Sequence, residues 1–371
     1  MHLKSLSLVN YRNYDLLEVH PSMSINVFYG FNAQGKTNLL ESIYYLATTG
    51  SHRSNKDLEL LKWDNPYFQI KGLVESHQRD YSLDITYQRD GKKIAKVAGL
   101  KKDRLPEYIG SLSVVLFSPE DLAIVKGGPK ERRKFLDLQI AQISPNYAHQ
   151  LIQYQKILSQ RNNLLKTSWD LRKESEQLEV WDTQLINIGS KILLKRFEVL
   201  KKLLPLAKST HNRISAGKEN LEIKYISSCP ARPDFSISEI ENSYRTKLLS
   251  VRKDEIGRGT TLIGPHRDDL TFYINNIDAK LYGSQGQQRS TALSLKLAEL
   301  ELMYVETGEY PVLLLDDVLS ELDNMRRHYL LTSVRRKVQT FVTTTNLEFM
   351  DKEILSEAKI FRVDEGKIIE Q

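Results

Sequence analysis

The sequence has few of the features that mark a secreted or membrane protein. Its 371 residues include one cysteine, Cys229, which excludes an intramolecular disulfide. No apolar run approaches the roughly 20 residues that a membrane-spanning helix needs. The first residues include the charged Lys4 and Arg12 and lack the apolar core of a signal peptide. We therefore expect a cytoplasmic protein with no membrane segment.

A strong charge of one sign is also lacking. The 53 Lys and Arg against 47 Asp and Glu give a net charge of +6, which is only weak evidence for a nucleic-acid partner. Local basic clusters are more informative, namely Lys101–Lys102, Lys130–Lys134, Lys195–Arg196 and Arg335–Lys337. Each cluster fits either a phosphate-contacting surface or a solvated helix face, and the latter is the usual meaning.

What the chain does contain is a phosphate-binding loop. The loop follows the apolar run Ile25–Tyr29 and precedes a helical pattern between Leu39 and Ala47, so the required strand, loop and helix follow in order. Its predicted nucleotide-contacting residues are Gly30, Phe31, Asn32, Ala33, Gln34, Gly35, Lys36, Thr37 and Asn38. An ordinary glycine turn before a helix is the alternative, and the complete pattern in this context disfavours it.

The chemistry of this loop explains its composition. Triphosphate oxygens are bound by backbone N–H groups, which Gly30 and Gly35 allow to approach closely, and the positive end of the following helix favours the anion. Lys36 is expected to contact the β and γ phosphates, and the Thr37 hydroxyl is expected to ligate Mg²⁺.

A second segment supplies carboxylates. The run Leu313–Leu315 is typical of a buried parallel strand, and it ends in Asp316 and Asp317. We expect Asp316 to hold Mg²⁺ and Asp317 to act catalytically by orienting or deprotonating the attacking water. An apolar run ending in Asp is common, so this prediction depends on the phosphate-binding loop that accompanies it.

A third segment precedes an amphipathic helix that includes Ala292 and Leu302. Its first residue, Ser284, would normally cap the helix. The alternative is a second anion site, in which Ser284 donates to a γ-phosphate held by another subunit. The residues predicted to contact that nucleotide are Ser284, Gln285, Gly286 and Gln287. Together the three segments predict a catalytic site, with Lys36, Ser284 and Asp317, that two subunits complete.

These motifs, with Ser320–Asp323, resemble those of the ABC-type ATPases of chromosome maintenance. Three further stretches, Leu8–Tyr14, Ser118–Leu122 and Gly264–Leu270, are similar to the RecF family among them. The resemblance implies an α/β fold, with an ABC-type P-loop ATPase head in two lobes and an inserted α-helical arm. It also implies that Arg12 and Asn13 approach the nucleotide, for which a surface turn is the alternative.

The resemblance implies a function as well. An ATP-bound homodimer would bind DNA at gaps or junctions of single and double strands, in DNA repair and replication-fork maintenance. It would help to load a recombinase with RecO- and RecR-like partners, and slow, DNA-stimulated ATP hydrolysis would release it. The alternatives are a nucleotide-binding ABC subunit coupled to a partner other than DNA, and a structural head with negligible turnover.

The chain departs from the broader ABC pattern at several positions. The signature is Ser-Gln-Gly-Gln, Asp317 replaces the usual Glu, and Thr343–Thr345 stands where transporters carry a switch histidine. The shorter carboxylate of Asp317 predicts slow turnover. No obvious lid-loop glutamine lies near Ser118. We interpret His266 as a positioning residue, because neighbouring residues on a strand point to opposite faces and cannot bind one metal ion.

The order of patterns predicts three segments. Residues 1–118 form the first part of the head, 119–210 the helical arm, and 211–371 the second part of the head. In the first segment Asp90–Gly91 predicts a hairpin turn. In the arm two leucine-rich helices flank a polar stretch from Thr167 to Glu179, and strands resume near Leu221.

Overall fold

The computed structural model describes residues 1–77, 79–167 and 173–370. The strands are β1 His2–Tyr11, β2 Tyr14–Val19, β3 Ile25–Tyr29, β4 Tyr67–Glu75, β5 Asp80–Gln88, β6 Lys93–Val97, β7 Leu100–Lys101, β8 Val114–Phe117, β9 Leu221–Ile226, β10 Asp269–Ile274, β11 Ile277–Asp278, β12 Val312–Asp316, β13 Thr340–Thr344, β14 Lys359–Asp364 and β15 Lys367–Glu370. The α-helices are α1 Lys36–Thr48, α2 Leu122–Lys126, α3 Pro129–Ile143, α4 Pro145–Thr167, α5 Lys173–Ile214, α6 Ile237–Ser250, α7 Arg252–Arg258, α8 Gln285–Thr307, α9 Asn324–Val334 and α10 Lys352–Glu357.

The chain divides into two compact units. The first comprises Met1–Leu122, Arg213–Gly217 and Arg289–Gln371, and the second comprises Ala123–Asn212 and Lys218–Gln288. Residues 218–288 therefore group with the helices, whereas the sequence pattern assigned them to the head. The reason is that β10 packs against α3 and carries β9 and β11 with it in a three-stranded sheet.

A largely parallel sheet forms the centre of the first unit. Its strand order is β15-β14-β3-β13-β12-β8, and only β15 runs antiparallel to its neighbour. Every residue of β12 and β13 is buried, as expected for strands covered on both faces. The Phe28 ring stacks on the Phe361 ring with 4.7 Å between centroids. The predicted strands Ile25–Tyr29 and Leu313–Leu315 are confirmed.

An antiparallel sheet of order β2-β1-β4-β5-β6-β7 accompanies it in the first unit. Helix α1 packs against strands of both sheets. Gly72 allows close packing there, because a Cβ atom at this position would lie 2.6 Å from Leu46. The hairpin predicted at Asp90–Gly91 is confirmed and connects β5 to β6, with Gly91 at φ +94°.

The second unit contains the two long helices α4 and α5, which confirm the helical prediction for this region. Residues 168–172 of the predicted polar stretch lie outside the described residues. A buried ion network connects α4, α5 and α7. The Arg161 guanidinium of α4 donates to Asp182 of α5 at 2.7 Å and to Glu255 of α7 at 2.6 Å. Burial leaves Arg161 with no exposed surface. None of the helices built from described residues has the length and apolarity to cross a bilayer.

Two arginines from the basic clusters are buried in this unit. Arg132 is 4% exposed and binds Asp269 through both Nε and Nη2, at 2.6 and 2.9 Å. Arg196 is 2% exposed, pairs with Asp137 at 2.8 Å and donates to the Pro265 carbonyl at 2.7 Å. These two side chains belong neither to a solvated helix face nor to an accessible phosphate-binding surface.

Candidate nucleotide-binding site

The phosphate-binding loop connects β3 to α1 at the carboxyl edge of the parallel sheet. Its two glycines are required by space and by backbone conformation. A Cβ atom at Gly30 would lie 2.3 Å from the Val363 carbonyl oxygen, and Gly35 has φ +112°. Any larger residue at Gly35 would also meet the Asn13 amide at 2.5 Å. The loop conformation is therefore determined by these positions.

Lys36 closes this loop upon itself. Its ammonium donates to the carbonyl oxygens of Gly30 and Phe31, each at 2.7 Å. Burial lowers the pKa of Lys36, and the carboxylates Asp317 and Asp316 oppose that shift. A triphosphate in the loop would give this ammonium anionic partners in place of the two carbonyls.

Asp316 lies at the end of β12 and accepts two hydroxyl hydrogen bonds. Thr37 Oγ1 donates to its Oδ1 at 2.9 Å, and Thr343 Oγ1 donates to the same oxygen at 2.7 Å. Thr343 is placed there because β13 pairs in parallel with β12, with Asp316 opposite Thr343. Burial raises the pKa of the Asp316 carboxyl, and the two hydroxyls act against that rise.

This arrangement fits a magnesium ion. In an octahedral shell with Mg–O distances of about 2.0–2.1 Å, adjacent oxygens are about 2.9 Å apart. Thr37 Oγ1 and Asp316 Oδ1 are also 2.9 Å apart, and in this structure a hydrogen bond joins them. Mg²⁺ commonly takes one or two protein oxygens together with phosphate oxygens and waters. Thr37 and Asp316 would hold the ion, which would then neutralise phosphate charge.

Asp317 follows Asp316 at this edge and has one unsatisfied polar atom. Its N–H donates to Thr343 Oγ1 at 2.9 Å, and its φ of +51° is rare for a residue with a side chain. Its Oδ1 is buried, and no partner among the described residues forms a hydrogen bond with it. A buried acceptor without a donor is costly, so this atom is suited to accept a hydrogen bond from a water molecule or a ligand.

Arg12 and Asn13 lie beside the loop with different partners. The Arg12 guanidinium binds the fully buried Glu41 carboxylate at 2.9 and 2.8 Å, so its charge is already paired. Asn13 donates to the Gln34 carbonyl at 3.2 Å and accepts from Asn38 at 2.8 Å. Asn13 therefore supports the phosphate-binding loop directly, whereas Arg12 anchors helix α1 through Glu41.

Sequence reasoning missed three of these neighbours. Glu41 is the partner of Arg12, the Tyr14 hydroxyl donates to the Gly35 carbonyl at 3.0 Å, and the turn at Glu365–Gly366 binds Gln34. The backbone N–H of Gly366 donates to the Gln34 carbonyl at 3.1 Å. No local pattern indicates these contacts, because the partners come from distant parts of the chain.

The signature segment lies in the second unit. Ser284 is exposed and precedes α8, where its Oγ accepts from the Gln287 N–H at 3.2 Å and its own N–H donates to Gln287 Oε1 at 2.9 Å. This reciprocal pair is a helix-capping arrangement. Ser284 thus caps α8 and is also exposed to solvent. Its contact with a γ-phosphate of another subunit stays a prediction.

His266 and the carboxylates after it bind separate partners within the second unit. The His266 Nδ1 lies 2.8 Å from the Tyr154 hydroxyl, and burial lowers the pKa of His266 to about 4. Asp268 accepts from the Ser228 N–H at 2.7 Å, and Asp269 pairs with Arg132. These residues stabilise the junction of α3, α4 and β10.

Comparison with known proteins supplies the family. The profile described as RecF/RecN/SMC N terminal domain matches residues 2–368. The chain is 50% identical over 369 residues to the DNA replication and repair protein RecF of Bacillus thuringiensis (strain Al Hakam), covering 99% of this chain and 98% of the relative. The chain belongs to the RecF family. RecF from Bacillus anthracis (strain A0248) has the same identity and coverage.

Solved structures agree with the RecF assignment. The recombination mediator protein RecF-ATP in the RecFOR pathway superposes with a TM-score of 0.92 and 38% identity, covering all of this chain and 97% of that one. An Smc head bound to the C-winged helix domain of ScpA matches with a TM-score of 0.56 and 14% identity, covering 100% and 98%. The second likeness concerns the fold alone. The predicted α/β fold of the ABC-type ATPase head is confirmed.

Proposed function

We propose that this RecF-family chain is an ATP-dependent DNA-binding protein of DNA replication and repair. It binds ATP with Mg²⁺ in the phosphate-binding loop, and ATP assembles two copies into a dimer on DNA at gaps or junctions of single and double strands. The dimer acts as a recombination mediator and helps to load a recombinase together with RecO- and RecR-like proteins. Slow ATP hydrolysis, stimulated by DNA, ends the bound state.

One observation supports the nucleotide chemistry most directly. Thr37, Asp316 and Thr343 form a continuous hydroxyl–carboxylate–hydroxyl chain at the end of the loop, with the unpartnered Asp317 Oδ1 beside it in sequence. A structural turn before a helix needs neither feature. A Mg²⁺ site followed by a water-orienting carboxylate needs both.

The DNA role is supported by the relatives. Proteins that are 50% identical over nearly the whole chain are named DNA replication and repair protein RecF, and a structural relative is named a recombination mediator. A nucleotide-binding subunit coupled to a partner other than DNA is the second candidate. Binding to gapped duplex with and without ATP separates the two, since only the first requires ATP-dependent retention of DNA.

The composite site is tested by mixing two defective chains. Ser284→Arg keeps the subunit's own phosphate-binding loop, so it should bind ATP nearly as well as the wild type but fail to dimerise and hydrolyse. Lys36→Met should fail to bind ATP while remaining folded. Mixed dimers combine Lys36 of one chain with Ser284 of the other in one sound site. An equal mixture should recover up to about half of wild-type hydrolysis, because neither variant forms a homodimer and each mixed dimer has one sound site of two.

Light scattering and phosphate release measure dimerisation and hydrolysis on these samples. The control is a chain that carries both substitutions, mixed with the wild-type chain. In this mixed dimer the wild-type phosphate-binding loop faces Arg at position 284, and the wild-type Ser284 faces a loop that lacks Lys36, so neither site is sound. Its mixed dimers should therefore contribute no activity. A Ser284→Arg protein that dimerises with ATP as well as the wild type would reduce Ser284 to a helix cap and remove the composite site from the proposal.

A further inference from the structure

A cavity lies within the second unit, and none of its lining residues belongs to the candidate nucleotide-binding site. Its volume is about 610 Å³, within the range of cavities that hold ligands. The later half of α5 forms one wall and residues 225–233 form the other. The apolar lining includes Phe197, Leu200, Leu204, Cys229, Pro230 and Pro233. A cavity of this kind accommodates a bulky apolar group.

The rim of this cavity is positive. Lys201 and Arg232 both line it and are exposed, and no carboxylate is among the lining residues that the structure describes. Arg232 lies 3.6 Å from Asp234, but both side chains are about 70% exposed, so this pair is weak. Between residues 191 and 212 the helix carries five lysines against the single Glu198, and its one arginine, Arg196, is the buried partner of Asp137. The surrounding surface therefore attracts an acidic partner.

The helix backbone adds a further feature at the same wall. Pro205 lies inside α5 and has no N–H, so the Lys201 carbonyl lacks the donor that normally reaches it from four residues on. This carbonyl can accept an N–H from another chain. A peptide backbone supplies such a donor, whereas the phosphate oxygens of DNA do not. The apolar depth of the cavity likewise favours a peptide side chain over a nucleic-acid backbone.

We propose that this cavity is a docking site for an acidic segment of a partner protein. The partner inserts a large aliphatic or aromatic side chain between α5 and residues 225–233. Its carboxylates lie over Lys201 and Arg232, and its backbone N–H bonds to the Lys201 carbonyl. This inference is independent of nucleotide binding and of the DNA proposal.

The test uses a fluorescein-labelled peptide of six acidic residues followed by leucine and phenylalanine. Fluorescence anisotropy of the full chain measures its Kd at two salt concentrations. A second peptide replaces the last two residues with serine, and a labelled single-stranded oligonucleotide serves as a third probe. The apolar-ended peptide should bind at least about tenfold more tightly than the serine peptide, because only the former fills the cavity.

Two variants locate the binding. Lys201→Glu with Arg232→Glu should weaken the apolar-ended peptide at least about tenfold, and Ala231→Trp should do so by filling the cavity. The matched control is Lys191→Glu with Lys208→Glu, which makes the same charge change on the same helix outside the lining. Unchanged thermal unfolding and ATP affinity in each variant show that the fold survives.

These measurements also define the results that would refute the docking site. The proposal is overturned if the apolar-ended peptide does not bind, or if both peptides bind equally. It is also overturned if the control variant matches the rim variant. Binding of the oligonucleotide in competition with the peptide would assign this surface to DNA instead.

Discussion

Replacing Thr343 by valine tests the metal site without changing its shape. The hydroxyl makes two contacts: it donates to Asp316 Oδ1 at 2.7 Å and accepts from the Asp317 N–H at 2.9 Å. Loss of a hydrogen bond to a charged group costs about 1.5–3 kcal/mol, and an unsatisfied buried N–H costs about 1–3 kcal/mol. These effects overlap, so we expect the free energy of unfolding to fall by about 2–4 kcal/mol.

The functional effect of Thr343→Val should exceed that of ordinary destabilisation. The hydroxyl lowers the pKa of Asp316, so its loss raises the pKa further and disfavours the ionised ligand. Removing a side chain that orients a metal ligand typically costs 10–100-fold in metal affinity. We therefore expect the Mg²⁺ concentration that supports ATP binding to rise by about this factor, and the deficit to grow as pH falls.

Calorimetric titration of ATP at graded Mg²⁺ concentrations measures this effect, and urea unfolding without nucleotide measures stability. Thr345→Val is the matched control, since it makes the same substitution two residues on at an exposed position. Wild-type Mg²⁺ dependence in Thr343→Val, with its stability also unchanged, would refute the assignment of Asp316 as the metal ligand supported by Thr343.

Three other predictions concern the carboxylates after β12, the buried Arg132 and the buried His266. Asp317→Asn should abolish ATP hydrolysis and trap the ATP-bound dimer. Asp316→Asn should instead weaken Mg²⁺-dependent ATP binding itself. Normal phosphate release by Asp317→Asn would show that another residue acts as the base on the attacking water. Arg132→Glu should lower the free energy of unfolding by about 3–5 kcal/mol, because it breaks the buried ion pair with Asp269. The same substitution at the exposed Lys130 should leave the free energy of unfolding unchanged, and urea unfolding measures both variants. Burial lowers the pKa of His266 to about 4, so the unfolded chain binds a proton at this position more readily than the folded chain does. The free energy of unfolding should therefore fall by up to about 1.4 kcal/mol per pH unit as pH drops from about 6.5 toward 4. A His266→Gln chain whose free energy of unfolding has the same pH slope would contradict this.

The sequence was most informative where chemistry is written in consecutive residues. The loop from Gly30 to Thr37 and the strand ending in Asp316 each combine a local pattern with a required element, so their structure was predictable, while the chemistry of their residues stays a prediction. The sequence marks Thr343 only as the first of three threonines that stand where transporters carry a switch histidine. Its contact with Asp316 depends on the parallel pairing of β12 and β13, and no pattern in the sequence fixes that register.

The sequence interpretation of the basic clusters was wrong for Arg132 and Arg196, which are buried in ion pairs. In the sequence alone, a basic cluster on a helix looks the same whether its side chains are exposed to solvent or buried. Arg161 finds its partners 21 and 94 residues away, and Arg132 finds Asp269 at a separation of 137 residues. Helical periodicity identifies the leucines of a core but gives no information on such pairs. The grouping of residues 218–288 with the helices depends on the same long-range contacts.

The position of β3 in its sheet has a consequence for synthesis of the protein. The strand that leads into the phosphate-binding loop is residues 25–29, yet its two neighbours are β13 and β14, from the last tenth of the chain. At about 5–20 residues per second, roughly a quarter of a minute to a minute separates their emergence from the ribosome. Throughout that interval β3 has unpaired edges on both sides. The growing chain therefore cannot complete the sheet that holds the phosphate-binding loop, and the proposed ATP-dependent dimer can form only after residues 340–364 have emerged.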